Sequence, residues 1–227
     1  MSSRMGDFKP MMNVGSISIS QRVLATLKQA GAEIIVVVTG YRAEELERHL
    51  AKSNVVFLRN ESFASTQMFD SAVIGLDFLR GKCDRILLTP VDIPLFTAET
   101  ALALLAHSSD LVMPICGGET GHPILISARA AGTLVSDSGE GGLRAAMQRS
   151  GHDIQYVSVS DKGTLHDADT PEDYRALLTY HNRQILRPVV DVQLAAEKPF
   201  FLTKTFFRFE LNLDPNLFLF LYCVCMC

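Results

Sequence analysis

The run Ile34-Ile-Val-Val-Val-Thr39, entered from Glu33 and left through Gly40-Tyr41, constrains this chain more than any other stretch. An unbroken β-branched run has no polar face, so a strand made of it must be covered on both sides. A sheet with helices packed on each face does that, and the surrounding sequence supplies the layers. Residues 18–30 carry Val23, Leu24 and Leu27 at helical spacing and stop at Gly31. A polar helix over 43–50, a strand over 54–58, a helix over 68–79, a strand over 85–89 and a helix over 97–106 follow in strict alternation. Strands over 110–114, 123–127 and 155–159 come next, with a Gly-rich link over 138–142, and Thr170-Pro-Glu-Asp173 opens a last helix with a cap, a proline and acids in its first turn. The pattern predicts an α/β fold with three layers, α/β/α, a mostly parallel sheet and ligands at the carboxyl ends of its strands.

The 227 residues, 48% hydrophobic and 20% charged, suffice for a full core. A net charge of −4 argues against a broad nucleic-acid or membrane-binding face and leaves room for a small cationic pocket. Of five cysteines, Cys223, Cys225 and Cys227 crowd the end of the chain, a usage that fits a reducing, cytoplasmic compartment without a disulfide framework. Their alternating spacing lacks the two-residue spacers of a zinc site. The apolar run over 217–227 is about half as long as a membrane-spanning helix.

Five positions near the start carry chemistry. Ser2, Ser3, Arg4, Gly6 and Lys9 put two hydroxyls, a turn-permissive glycine and two cations close together, which suits a loop that wraps a polyphosphate. The plain alternative is a solvated, slightly basic tail. Asp92 stands just past the carboxyl end of the strand over 85–89, where a sheet of this class places its ligand, so it is a candidate metal ligand or else a turn residue ahead of Pro94. Asp169, before the helix start at Thr170, is a second acid that could instead answer the helix dipole. His122, in Gly121-His-Pro123, is a ligand contact or a hydrogen-bonded turn residue, and Arg144 could reach a phosphate or lie on a solvated helix face.

Read together, Ser2-Ser-Arg-Met-Gly-Asp-Phe-Lys-Pro-Met-Met12, Pro90-Val-Asp-Ile-Pro-Leu95, Gly121-His-Pro123 and Asp167-Ala-Asp-Thr-Pro-Glu-Asp173 resemble, in order, four motifs of the molybdenum-cofactor nucleotidyltransferases, the MobA-like family. The resemblance spans about residues 1–180 and implies the Rossmann-like nucleotidyltransferase version of the fold. It implies transfer of CMP, in preference to GMP, from CTP or GTP to the phosphate of molybdopterin with release of diphosphate. Arg4 and Lys9 would act on the triphosphate, and Ser2, Ser3, Gly6 and Asn60 would bind the nucleotide. Asp92 and Asp169 would hold Mg²⁺, and His122 would contact the acceptor. A molybdoenzyme or its chaperone would be a further partner, with no nucleic acid or membrane among the partners. Relatives commonly carry Gly-Met-x-x-Ser where this chain reads Gln67-Met-Phe-Asp-Ser71, so Ser71 is not assigned as a ligand. The rival readings are a sugar- or polyol-phosphate nucleotidyltransferase and a non-catalytic, molybdate-linked regulator.

In that family the loop follows an apolar strand ending in Leu-Ala-Ala-Gly, which this sequence lacks. The expectation is therefore a domain over 1–186 whose first, central strand is missing, with unpaired backbone groups on both sides of the gap. Residues 187–201 resemble the opening of a ModE-type winged-helix domain. Residues 202–227 read as an aberrant, frame-shifted apolar tail. Its segment over 217–224 has strand length, but no selected direction or register, and is expected to stay out of the sheet.

Overall fold

The structure, a computed structural model, describes residues 8–185 and, over 219–224, the backbone. The readings placed on Ser2, Ser3, Arg4 and Gly6 and on the winged-helix-like segment lie outside the described residues.

A 3-10 turn, Lys9–Met11, leads into a small hairpin of β1 (Asn13–Val14) and β2 (Ile17–Ser18) and then into α1 (Ile19–Gln29). The alternation continues as β3 (Ile34–Thr39), α2 (Ala43–His49), β4 (Val56–Arg59), α3 (Met68–Leu79), β5 (Arg85–Pro90) and α4 (Ala98–Leu105). Next come β6 (Leu111–Cys116), β7 (Glu119–Thr120), β8 (Ile124–Ser127), α5 (Ala128–Val135), α6 (Gly142–Arg149), β9 (Ile154–Ser158), a 3-10 turn at Lys162–Thr164, α7 (Pro171–Ile185) and β10 (Leu219–Val224). The expected elements fall within two residues of these bounds. The expectation missed the hairpin, β7, α5 and α6.

The sheet runs β4-β3-β10-β5-β8-β6, with β7 and β9 both paired to β6. β3, β4, β5, β6 and β9 point one way, and β7, β8 and β10 point the other. Alternate residues of the central strands feed two cores, which explains why β3 has no polar face. Ile35, Val37 and Leu87 pack with α1, α2, α4 and Leu177 of α7 on one side. Val36, Val38, Ile86 and Leu88 pack with α3, α5 and α6 on the other. These are the three expected layers. No helix among the described residues is long and apolar enough to cross a membrane. Cys116 is free and buried.

The largest departure is at the centre. β10 occupies the position between β3 and β5, antiparallel to both, with Leu221 opposite Val36 on one side and Leu88 on the other. The tail segment expected outside the sheet thus fills the gap expected to stay open. The physical reason is that a ladder bonds backbone to backbone. The facing edges of two parallel strands can be satisfied by an antiparallel strand as well as by a parallel one.

Candidate active site

Strand β5 ends at Pro90, and the next turn carries Asp92 into the interior at the carboxyl end of the sheet. Asp92 is 2% exposed, and its Oδ1 has no hydrogen-bond partner. The turn is held from below by residues far off in sequence. A Cβ on Gly163 would stand 1.9 Å from the Leu95 carbonyl oxygen, so the two backbones touch in a way only glycine allows. The Asp161 carboxylate accepts from the Thr97 amide at 2.7 Å, the Thr100 hydroxyl at 2.8 Å and the Gly163 amide at 2.9 Å. The loop before α7 and the loop after β5 are therefore one rigid unit.

That unit brings in Asp169. Thr170 caps α7 in a reciprocal arrangement with Asp173: the Asp173 amide donates to Thr170 Oγ1 at 3.1 Å, and the Thr170 amide donates to Asp173 Oδ2 at 2.9 Å. This fixes the residue just ahead of the cap. Asp169 Oδ1 accepts from the ammonium of Lys9 at 2.9 Å, and Lys9 is only 7% exposed. The structure brings Lys9, Asp92 and Asp169 together. Asp167 joins them.

The electrostatics of this cluster are unbalanced. Burial, then the neighbouring Asp169 and Asp167, push the Asp92 carboxyl well above the usual carboxylate range, with Lys9 only partly offsetting them. Asp167 is pushed up to about 6 by burial first and Asp169 second. Three carboxyl groups around one ammonium, with a dry oxygen left unpartnered, suit a divalent cation that would hold the acids ionised. Among the described residues no three His, Cys, Asp or Glu side chains converge as a complete metal cluster. Asp92 and Asp169 are the two carboxylates that could offer oxygens to such a cation, and a small hard cation takes its remaining ligands from phosphate and water.

His122 lies beside this centre. Its amide donates to the Thr164 carbonyl at 3.0 Å, and a Cβ on Gly121 would come within 2.5 Å of the same oxygen, which explains the glycine. The His122–Pro123 bond is cis. Burial lowers the imidazole to about 4, against a hydrogen bond to the Leu88 carbonyl, and Nδ1 is buried without a partner. The ring is thus neutral, with one unused nitrogen.

Asn60 is 5% exposed and spends its side chain within its own loop. Its Nδ2 donates to Thr66 Oγ1 at 2.9 Å and Ser71 Oγ at 3.0 Å, and its Oδ1 accepts from the Ser62 amide at 3.1 Å. It organises the segment over 60–71, and Ser71 serves it there. Arg144 donates to Thr120 Oγ1 at 3.0 Å on an exposed surface, tying α6 to β7. The sequence marks neither Asp161 nor Gly163, whose roles are contacts across the fold, and Asp167 was given no role there. The Asp-x-Asp spacing with Asp169 was the available signal for Asp167. Nor does the sequence mark the aromatic ledge next to Lys9, where the Phe8 ring meets Tyr41 edge-on at 6.2 Å and carries the Arg42 guanidinium 4.5 Å above it.

The family described as the MobA-like NTP transferase domain matches residues 1–154. The chain is 27% identical to the molybdenum cofactor cytidylyltransferase of Escherichia coli (strain K12) over 176 residues, which is 77% of this chain and 88% of that one. Among solved structures, Rv0371c of Mycobacterium tuberculosis H37Rv superposes with a TM-score of 0.68 at 21% identity, covering 79% of this chain and 93% of that one. The same protein in complex with manganese superposes with a TM-score of 0.64 at 21% identity, covering 77% and 94%.

Proposed function

This chain belongs to the MobA-like NTP transferase domain family, and we propose that it moves a cytidylyl group, in preference to a guanylyl group, from the triphosphate to the phosphate of molybdopterin. The observation that carries this reading is the buried Asp92 oxygen without a partner, set among two further acids and the Lys9 ammonium. The cytidylyl preference and the acceptor rest on the likeness to the E. coli cytidylyltransferase.

In the reaction an acceptor phosphate oxygen forms a bond to the α-phosphorus. The bond from that phosphorus to the bridging oxygen breaks, and the electron pair leaves with diphosphate. Mg²⁺, held by Asp92 and Asp169, would neutralise phosphate charge. The chain's own part is placement and charge. Lys9, already buried and oriented by Asp169, offers its ammonium to the triphosphate, and the rigid unit of Asp161 and Gly163 keeps Asp92 from drifting. Neutral His122, its one N–H given to the Leu88 carbonyl, can accept one hydrogen bond at Nδ1 on the acceptor side without adding charge. Asn60 would act on the nucleotide through the loop it orders. Ser2, Ser3, Arg4 and Gly6 would complete the phosphate loop.

The test is diphosphate release from CTP and from GTP with Mg²⁺ and molybdenum-loaded molybdopterin, beside arms with sugar and polyol phosphates. We expect turnover with CTP and the pterin, and at least tenfold less with GTP. Turnover confined to a sugar or polyol phosphate would replace the acceptor, and binding of molybdate without turnover would replace the enzymatic reading.

A further inference from the structure

We propose that Tyr174, His181 and Arg22 form a latch that sets Lys9 in register with Asp169, making them positioning residues for the nucleotide. The inference rests on the functional reading above for its kinetic consequence, not for its geometry. Lys9 and Asp169 are 160 residues apart in sequence. Lys9 sits in a single 3-10 turn, which is too short to hold a side chain by itself. The turn runs directly into the β1–β2 hairpin, whose first two carbonyls are both taken by side chains from helices. The Tyr174 hydroxyl, in the first turn of α7, donates to the Asn13 carbonyl at 2.5 Å. The Arg22 guanidinium of α1 donates to the Val14 carbonyl and also lies 3.4 Å from His181 Nε2.

The hairpin tip is fitted to this pair. Gly15 has φ +68°, and a Cβ there would stand 2.7 Å from His181 Nε2 and 3.1 Å from Arg22. Tyr174 and His181 are two turns apart, so they share one face of α7. Asp169 immediately precedes that helix. One rigid element thus carries the acid, the Tyr174 hydroxyl that holds the hairpin and the His181 ring that meets the Arg22 guanidinium holding its next carbonyl. A shift of α7 would move Asp169 and the hairpin together, so the ion pair keeps its geometry.

The latch is separable from the packing that keeps the helix in place. Leu177 is fully buried, and Leu178 and the Tyr174 ring pack on the same core. Removing only the Tyr174 hydroxyl leaves those contacts intact. A structural role predicts lost stability, whereas a positioning role predicts lost nucleotide affinity at nearly constant stability.

The experiment compares the full chain with its Tyr174→Phe and Gly15→Ala variants. It reads the CTP KM, kcat, the melting temperature and hydrogen exchange at the Met11 and Met12 amides, which bond to the Phe8 and Lys9 carbonyls. For Tyr174→Phe we expect a KM raised about three- to tenfold, kcat within about twofold, an almost unchanged melting temperature and several-fold faster exchange at both amides. Gly15→Ala should move KM and exchange the same way. An unchanged KM in an active enzyme overturns the proposal, as does a fall in melting temperature and kcat with KM constant. If the wild-type chain fails to turn over CTP, the functional reading falls while exchange still judges the latch: unchanged exchange in Tyr174→Phe overturns it, and faster exchange confined to the Lys9 turn and hairpin supports it.

Discussion

At the scale of single residues, the site is a set of unfavourable placements that a bound substrate would relieve. Asp92→Asn keeps the shape of the side chain and removes a carboxyl that burial and two acids oppose. We expect diphosphate release to fall at least about a hundredfold while the melting temperature without metal holds or rises; parallel loss of both would make Asp92 a structural residue. Lys9→Ala should cost at least about tenfold in KM or kcat, the worth of one charge-assisted phosphate contact of roughly 1.5–3 kcal/mol, read by steady-state kinetics. His122 titrates at about 4 in the folded chain against an ordinary 6.5. The unfolded chain takes up a proton at a pH where the folded one does not. This contribution is full above about 6.5 and is lost as pH falls towards 4. Asp167, raised to about 6, has the opposite slope over the lower part of that range. Urea unfolding at pH 7 and pH 4.5 should therefore show His122→Asn losing about 2 kcal/mol less than wild type on acidification. Asp92 was legible because a strand end marks it. Asp161 and Gly163 were not, because their reasons lie across space in Thr97, Thr100 and Leu95.

Among elements, periodicity recovered those that show one face to a core and missed those built on glycine. α6 starts in the link where Gly139, Gly141 and Gly142 all take positive φ, so its opening reads as loop although Leu143, Ala146 and Met147 are buried at helical spacing. α5 comes after β8 with no intervening loop, Ser127 ending the strand and capping the helix at once through the Ala130 amide at 3.1 Å. The joint between Gly163 and Leu95 is the element-level contact on which the site depends. Gly163→Ala must push two backbones apart, so we expect a loss of about 1–3 kcal/mol in urea unfolding together with reduced metal affinity. An intact melting profile with normal manganese binding would show that the joint yields freely.

For the whole molecule, the three layers and the direction of most strands could be read from the β-branched runs, since a strand without a polar face admits few environments. The occupant of the central position could not, because nothing in 217–224 encodes a partner beyond apolar character and length. Leu221 bonds within two ladders, so Leu221→Pro should cost about 3 kcal/mol or more and accelerate exchange along both β3 and β5; an effect confined to one edge would contradict the pairing. The position of β10 also sets a clock. β5 ends at residue 90 and β10 begins at residue 219, so 128 residues must be made between them. At ribosomal speeds of about 5–20 residues per second this takes roughly 6–26 s. For that interval the growing chain holds β3 and β5, two strands buried on both faces, with their facing edges open, and any extended segment nearby, its own or a neighbour's, meets them first. The yield of folded protein should then depend on how fast the message for residues 91–224 is translated.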